Sequence, residues 1–582
     1  MPHGEMQLIA YGSQDIYLTG NPSITFFKFV YKKHTNFASE YIRQDFISLK
    51  TFNTNTKTKL KCKIERNGDL IHDVYLVYDL PNIYSTPKIQ MNNDNLDILQ
   101  LILENKDNTG EYFRWVNNLG ENIINKAEIF IDGQIIDEQY GVWLNVWNEL
   151  TLHKSKKESY DTMIGNISSL NNPSVYYGNY SKDTIPSIPS RRLYIPLPFW
   201  FCKNPGLAIP LIALQYNEIF IHIEFNELNS LFTVGNPPIS PEKIFDEDYI
   251  KNFGNNSFSN TLSVNDNNYN LRKNLINKGY SKYDLFWKYV NGTTQNSTIW
   301  NQNCYLDVNY IFLDEDERKK YAQINHEYLI TQVQTSHFII NNLNQNIKES
   351  VNTLNLLFQH PVKELIWVLR RNDVECRNQW NNYTSSIYDY NYNDNTNTFM
   401  NNFRNPNILT NSFHLNKIFI QNNYLKGLSN GFDNTGVREN TCYDSFLDGN
   451  DYYNKNLDSF NQFNNIMYTA KLMFNGNDRF SPKDNTFFNY LQPFKYHTST
   501  PSPGVNVFSF ALNPEEDQPS GTCNMSRIDS VQLQLAIRWI TKKMEDKCSS
   551  IDYNEGYELF IFARNYNVLR IMGGMGGLVF SN

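Results

Sequence analysis

From Val531 to Trp539 apolar and polar residues alternate strictly, with Val531, Leu533, Leu535, Ile537 and Trp539 on one face and Gln532, Gln534 and Arg538 on the other. Period-two alternation predicts an antiparallel strand with one buried and one solvated face. Ile219, Ile221, Ile223 and Phe225 repeat the pattern around His222 and Glu224. The same reading places strands in the first half near 24–31, 41–49, 58–66, 70–80, 127–131, 193–200, 211–225 and 304–313. In the second half it places them near 326–340, 353–358, 363–370, 468–475, 505–511, 528–540 and 557–564, leaving one strand unplaced. Helical periodicity is scarce. Residues 314–323 are the best candidate, with acids in the first turn and bases in the next, as the helix dipole favours.

The halves are degraded copies of each other. Ala127 to Gly133 (AEIFIDG) returns as Ala470 to Gly476 (AKLMFNG), an offset of 343 (470 − 127). Upstream, Asp73 to Tyr78 corresponds to Glu364 to Leu369, and downstream residues 194–225 correspond to 507–539. Eight strands make one jelly roll, so the expected fold is all-β, two consecutive eight-stranded antiparallel jelly rolls with long loop insertions. The expected division is an arm at 1–25, a first jelly roll at 26–315, a connecting segment at 316–325 and a second jelly roll with its tail at 326–582. The insertions are expected at 145–190, 228–302 and 376–466, of which the last is the surplus of the second copy over the first. Two similar sandwiches in one chain suit a building block better than a machine with one cleft.

Composition supports two folded cores. The 582 residues exceed what one core usually sustains, and 15% aromatic residues favour strands. With 52 basic and 60 acidic residues the net charge is −8, so the broad positive field of a genome-packaging protein is missing. Basic clusters are local. Lys57, Lys59, Lys61 and Lys63 alternate along one predicted strand and read as a solvated edge, while Lys28, Lys32 and Lys33 lie next to the arm. Seven scattered cysteines without a CxxC pair point to reduced thiols. The first residues lack a secretory pattern, and the longest apolar stretch, Leu207 to Leu214, is broken by Pro210 and too short for a membrane helix. A soluble chain made in the cytosol is expected.

No chemistry is suggested. The ten histidines form no HxH, HExxH or HxxxH pattern, which leaves a cupin-like metal site without ligands and favours core or surface roles. Glu515 and Glu516 sit in a Pro-rich turn and read as solvated; Gly573 to Gly577 reads as a close-packed tail, lacking the Lys-Ser/Thr of a phosphate loop. No catalytic, cofactor or metal residue is expected.

Several long segments carry a resemblance. Gln7 to Pro22 with Ile24 to Phe37, Asn204 to Tyr216, Tyr310 to Arg318 with His326 to Ile330, Phe510 to Asp529, and Asn565 to Met572 resemble the major capsid proteins of nucleocytoplasmic large DNA viruses. The resemblance runs from end to end and leans toward algal and giant viruses. It implies a double jelly roll whose homotrimers form pseudo-hexagonal capsomers tiling an icosahedral shell, without catalysis. Partners would be the chain itself and minor capsid proteins, reached through the arm and the sandwich base. The internal viral membrane would be touched at most indirectly, and nucleic acid not at all. Outer loops could meet glycans, and a jelly-roll surface protein binding host glycans is the alternative. Within the arm, Leu8, Ile9, Tyr11, Ile16, Tyr17 and Leu18 are too apolar for a free tail and lack core periodicity, so a partner surface is expected.

Overall fold

The computed structural model describes residues 3–48, 51–52, 56–83, 112–171, 188–235, 300–301, 303–341, 349–372, 380–384, 465–539 and 556–580. Two short helices open the chain, α1 (His3–Ile9) and α2 (Ile16–Thr19), and an exposed coil follows to residue 36. The strand expected at 24–31 does not form. Its residues alternate correctly but face no partner strand, and a lone strand leaves its backbone donors and acceptors unpaired.

The first sandwich contains β1 (Phe37–Gln44), β2 (Thr58–Lys63), β3 (Leu70–Leu80), β4 (Ile124–Ile131), β5 (Gln134–Tyr140), β6 (Arg191–Pro196), β7 (Ile219–Phe225) and β8 (Cys304–Leu313). Two sheets are built from them, β1-β8-β3-β6 and β2-β7-β4-β5. The second sandwich contains β9 (His326–Asn341), β10 (Glu349–Leu356), β11 (Pro361–Arg371), β12 (Met467–Phe474), β13 (Asn477–Asp478), β14 (Val505–Ser509), β15 (Val531–Arg538) and β16 (Gly556–Met572). Its sheets run β9-β16-β11-β14 and β10-β15-β12-β13. Strand for strand the order is the same, so the fold is a double jelly roll.

The repeated motif occupies the same place in both copies and turns in the same way. β4 pairs Ile131 with Gln134 of β5, and β12 pairs Phe474 with Asn477 of β13, so each loop has two residues. Asp132 (φ 51°) and Gly133 (φ 78°) match Asn475 (φ 49°) and Gly476 (φ 81°). Positive φ at both central residues is the I′ hairpin turn, for which Asp-Gly and Asn-Gly are the preferred pairs. The conserved Gly in the repeat is therefore a backbone requirement. β5 and β13 are the two strands missing from the sequence reading. β13 is two residues long, too short to show a period, and β5 turns Asp137 and Gln139 inward, which breaks the apolar alternation.

Between β5 and β6 the chain forms α3 (Gly141–Thr151) and α4 (Lys154–Ile164), so the insertion expected at 145–190 begins as helix. Residues 172–187, 236–299 and 385–464, which hold the rest of that insertion and nearly all of the other two, lie outside the described residues. α5 (Glu315–Gln323) forms where expected, its first N–H capped by the Asp314 carboxylate at 2.9 Å. A π turn at Phe487–Leu491 leads into α6 (Gln492–Tyr496), the second copy's counterpart between its β13 and β14.

Candidate functional site

The most elaborate grouping of buried side chains lies where the sandwiches meet. In β11, Leu365, Trp367 and Leu369 point into the second sandwich's own core, while Ile366 and Val368 belong to a core continuous with the first sandwich. In β16, Ile561 and Ala563 face the first of these cores, and Phe562, Leu569 and Ile571 the second. The β9-β16-β11-β14 sheet is thus buried on both faces. That explains the unbroken apolar run Leu365 to Leu369, in contrast to the half-solvated alternation of β15.

The first sandwich answers with α3. Trp143, Leu144, Val146, Trp147 and Leu150 are all buried, on nearly every side of the helix, as a helix wedged between two bodies requires. Gly141 opens it because a Cβ there would lie 2.1 Å from the Ile124 carbonyl oxygen. Trp143 stacks on Trp147 at 5.2 Å and meets Phe562 at 5.3 Å. Backbone and side chain then cross the boundary together. The Ser499 N–H donates to the Leu150 carbonyl at 2.9 Å, and Ser502 donates twice to the Glu149 carboxylate, at 2.8 and 2.6 Å. From the far side of the sandwich edge, the Val333 N–H donates to Asp137 at 3.2 Å.

Charge is buried here with its partners. Glu364 is fully buried, 3.0 Å from His497 Nε2 and 3.3 Å from Arg564 Nη1. Burial alone would raise its carboxyl, but His497 and Arg564 outweigh that and hold it down at about 2. His497, whose side chain is likewise fully buried, is 2.9 Å from Glu515 through its Nδ1. Burial disfavours its charge, yet Glu364 and Glu515 raise it to about 9, so the ring is an imidazolium clamped between two carboxylates. Arg564 completes the group by lying 4.1 Å over the Trp147 ring. Glu515 therefore is not the solvated acid that its turn suggested: its oxygens also accept from Thr498. Two other buried carboxyls meet no cation among the described residues. Burial pushes Asp137 up to about 7, against hydrogen bonds from Val333 and Gln139, and Glu121 up to about 7, against Tyr160, Asn148 and Asn145.

The remaining sequence candidates fall elsewhere. β2 is an edge strand, and the lysines along it meet partners across the sheet: Lys59 with Glu128 at 2.5 Å, Lys63 with Glu218 at 2.7 Å, Lys61 3.8 Å over the Phe220 ring, and Lys57, just before the strand, with the Asn125 amide oxygen at 3.0 Å. His222 sits on the same face, 4.2 Å from Phe130. The glycine tail folds back as a hairpin on β16, and the Gly574 carbonyl accepts from Tyr216 N–H at 3.0 Å. Among the described residues no group of three or more His, Cys, Asp or Glu is placed to hold a metal ion, and no helix is long and apolar enough to cross a membrane. In the arm Leu8 is 81%, Tyr17 91% and Leu18 85% exposed.

Two jelly rolls in tandem, joined through a shared core, define a double jelly-roll structural protein. Residues 25–314 match the family described as major capsid protein N-terminus, and residues 317–577 match the large eukaryotic DNA virus major capsid protein family. The major capsid proteins of Phaeocystis pouchetii virus and Chrysochromulina ericina virus are each 33% identical, over 622 and 653 aligned residues, with both chains covered in full. The crystal structure of PBCV-1 VP54, fitted into a reconstruction of the virophage Sputnik, shares the fold with a TM-score of 0.57 at 24% identity, covering 96% of this chain and all of that one. The chain belongs to the major capsid proteins of large eukaryotic DNA viruses. It is a structural component of the virion's capsid and not an enzyme, and the alternative of a separate glycan-binding surface protein gains no support.

Proposed function

We propose that three copies form a pseudo-hexagonal capsomer and that capsomers tile the shell through their sandwich sides, with residues 1–25, 26–315, 316–325 and 326–582 acting as arm, first roll, connector and second roll. The observation that carries this reading is the joint. Two similar sandwiches locked in fixed relation give each copy two similar wedges, and three copies give six, which fits a six-fold lattice position. The arm, apolar and exposed in the single chain, would lie on the inner side of the shell against minor capsid proteins. Burying three of its apolar side chains contributes on the order of 5 kcal/mol gross, at roughly 1.5–3 kcal/mol each, less the cost of ordering the segment. That magnitude suits a contact made only on assembly. Synthesis and assembly would take place in the host cytoplasm, the membrane being approached at most indirectly, and glycans would be met on the outer loops. The native mass of the purified protein tests the capsomer: a particle of three 68.3 kDa chains is expected, and a stable monomer at assembly concentrations overturns it. Deleting residues 2–20 is expected to block shell formation while leaving the capsomer's melting temperature nearly unchanged; a large loss of capsomer stability would place the arm in the capsomer's own core.

A further inference from the structure

The segment just after the arm, Phe26 to Lys33, has strand periodicity and no strand partner. Phe27, Phe29 and Tyr31 alternate with Lys28, Val30 and Lys32, so an extended backbone puts rings on one face and two ammonium groups on the other. Phe26 is 90% and Phe27 98% exposed. No Asp or Glu occurs between Asp15 and Glu40, so nothing nearby in sequence neutralises the lysines. A segment both this aromatic and this cationic is complementary to a surface that is aromatic and acidic.

Such a surface opens beside the point where the segment enters the first sandwich. A notch of about 490 Å³ lies between Thr35, α5 and the start of β9. Its wall carries two rings, Tyr321 stacked on His326 at 5.2 Å, beside the exposed Ile324. Its rim is acidic, with Asp314, Asp316 and Glu317 opposed by Lys320 alone.

We infer that this notch receives residues 26–33 of a second copy, lysines against the acidic rim and rings against the Tyr321–His326 stack. The chain's own segment is poorly placed to fill it. Thr35 lines the notch, yet Phe26, Phe27, Phe29 and Tyr31 of the same chain stay exposed and do not line it. An arm exchanged between copies would fill the notch and link each copy to a neighbour. The inference rests on self-association of the capsid protein and not on the number of copies in a capsomer.

Mixing isotope-labelled and unlabelled full-length chains under assembly conditions, joining amines to carboxylates with a zero-length carbodiimide and mapping the products by mass spectrometry tests it. Mixed-label links from Lys28, Lys32 or Lys33 to Asp316 or Glu317 are expected. Lys32→Glu with Lys33→Glu, or Asp316→Lys with Glu317→Lys, is expected to lower the yield of mixed-label links at least about tenfold, the effect of about 1.4 kcal/mol of lost pairing. Combining the two reversals is expected to restore it, now between the exchanged charges, which also shows that the variants fold. Links confined to one label would show docking within a chain and overturn the inference. So would failure of the combined variant to restore them, or charge-dependent flotation of the full chain with phosphatidylserine vesicles in the absence of links. Mixed-label links in a particle of other than three chains would sink the capsomer reading alone.

Discussion

Replacing His497 by Ala removes the cation that holds Glu364 in the joint, and the loss can be sized from the structure. In the folded chain the imidazole titrates at about 9 against an ordinary value of 6.5. A shift of that size is worth about 3 kcal/mol at roughly 1.36 kcal/mol per pKa unit. Breaking a fully buried pair by deleting one partner costs about 3–5 kcal/mol, because the remaining charge is left with too little compensation; here Arg564 keeps part of it. The sign follows from the folded values. His497 is raised, so its contribution is complete below about 6.5 and disappears as pH rises through about 9. Glu364 is lowered to about 2 from 4.5, so its contribution is complete above about 4.5 and fades as pH falls toward 2. Wild type and variant should therefore differ most between about pH 4.5 and 6.5. The gap should shrink by about 3 kcal/mol at about pH 10, leaving only the pH-independent cost of the cavity. Urea unfolding followed by tryptophan fluorescence reads this directly, since Trp143 and Trp147 sit in the joint and Trp147 lies 6.4 Å from His497. A difference below about 1 kcal/mol near pH 6, or one of equal size at both pH values, would refute the clamped-imidazolium argument.

Asp137→Asn should act in the opposite sense. Its carboxyl is raised from 3.8 to about 7, so the wild type loses stability as pH climbs through that window; the neutral amide should be more stable than wild type at pH 8 by up to about 4 kcal/mol and indistinguishable from it near pH 4, as read by paired thermal melts. Gly141→Ala forces a methyl group against the Ile124 carbonyl and should cost about 1–3 kcal/mol or prevent folding, measured by the same urea transition; unchanged stability would mean that α3 can shift away from β4. Trp143→Ala should cost about 3–5 kcal/mol and make the two sandwiches unfold in separate calorimetric transitions, where a single transition with the wild-type midpoint would deny α3 its wedge role.

The sheets were legible wherever one face meets water. β7 and β15 alternate cleanly because the solvated face admits polar residues, whereas the Asp-Gly and Asn-Gly pairs that end the repeated motif carried a hairpin signal that the strand reading did not use. Legibility failed at the joint. There β5 carries Asp137 inward to meet β9 and Gln139 inward to bond Asp137 and the Pro198 carbonyl, β16 is polar in its middle at Arg564, Asn565 and Asn567, and β11 is apolar on both faces, so no period of two survives. β16 runs to Met572, well past the expected end near 564, for the same reason. Glu364, His497 and Arg564 are separated by 133 (497 − 364) and 67 (564 − 497) positions, and no spacing rule connects them. The signal that existed was the unbroken apolar run of β11, which marks a sheet covered on both sides. The opposite failure occurred at 24–31, where a correct strand pattern has no partner within one chain.

A block welded through α3 has a bearing on curvature. An icosahedral shell is flat across its facets and creased at their edges, so its units must meet at more than one angle. Here the hinge is not inside the chain: bending the sandwiches apart would open a core that includes Trp143, Trp147 and Phe562, and would pull the Trp147 ring from Arg564 and the Glu149 carboxylate from Ser502. Whatever angular tolerance the shell has must then reside in the seams between copies, and substitutions that change particle size or facet geometry should map to outward-facing side chains and leave the joint untouched.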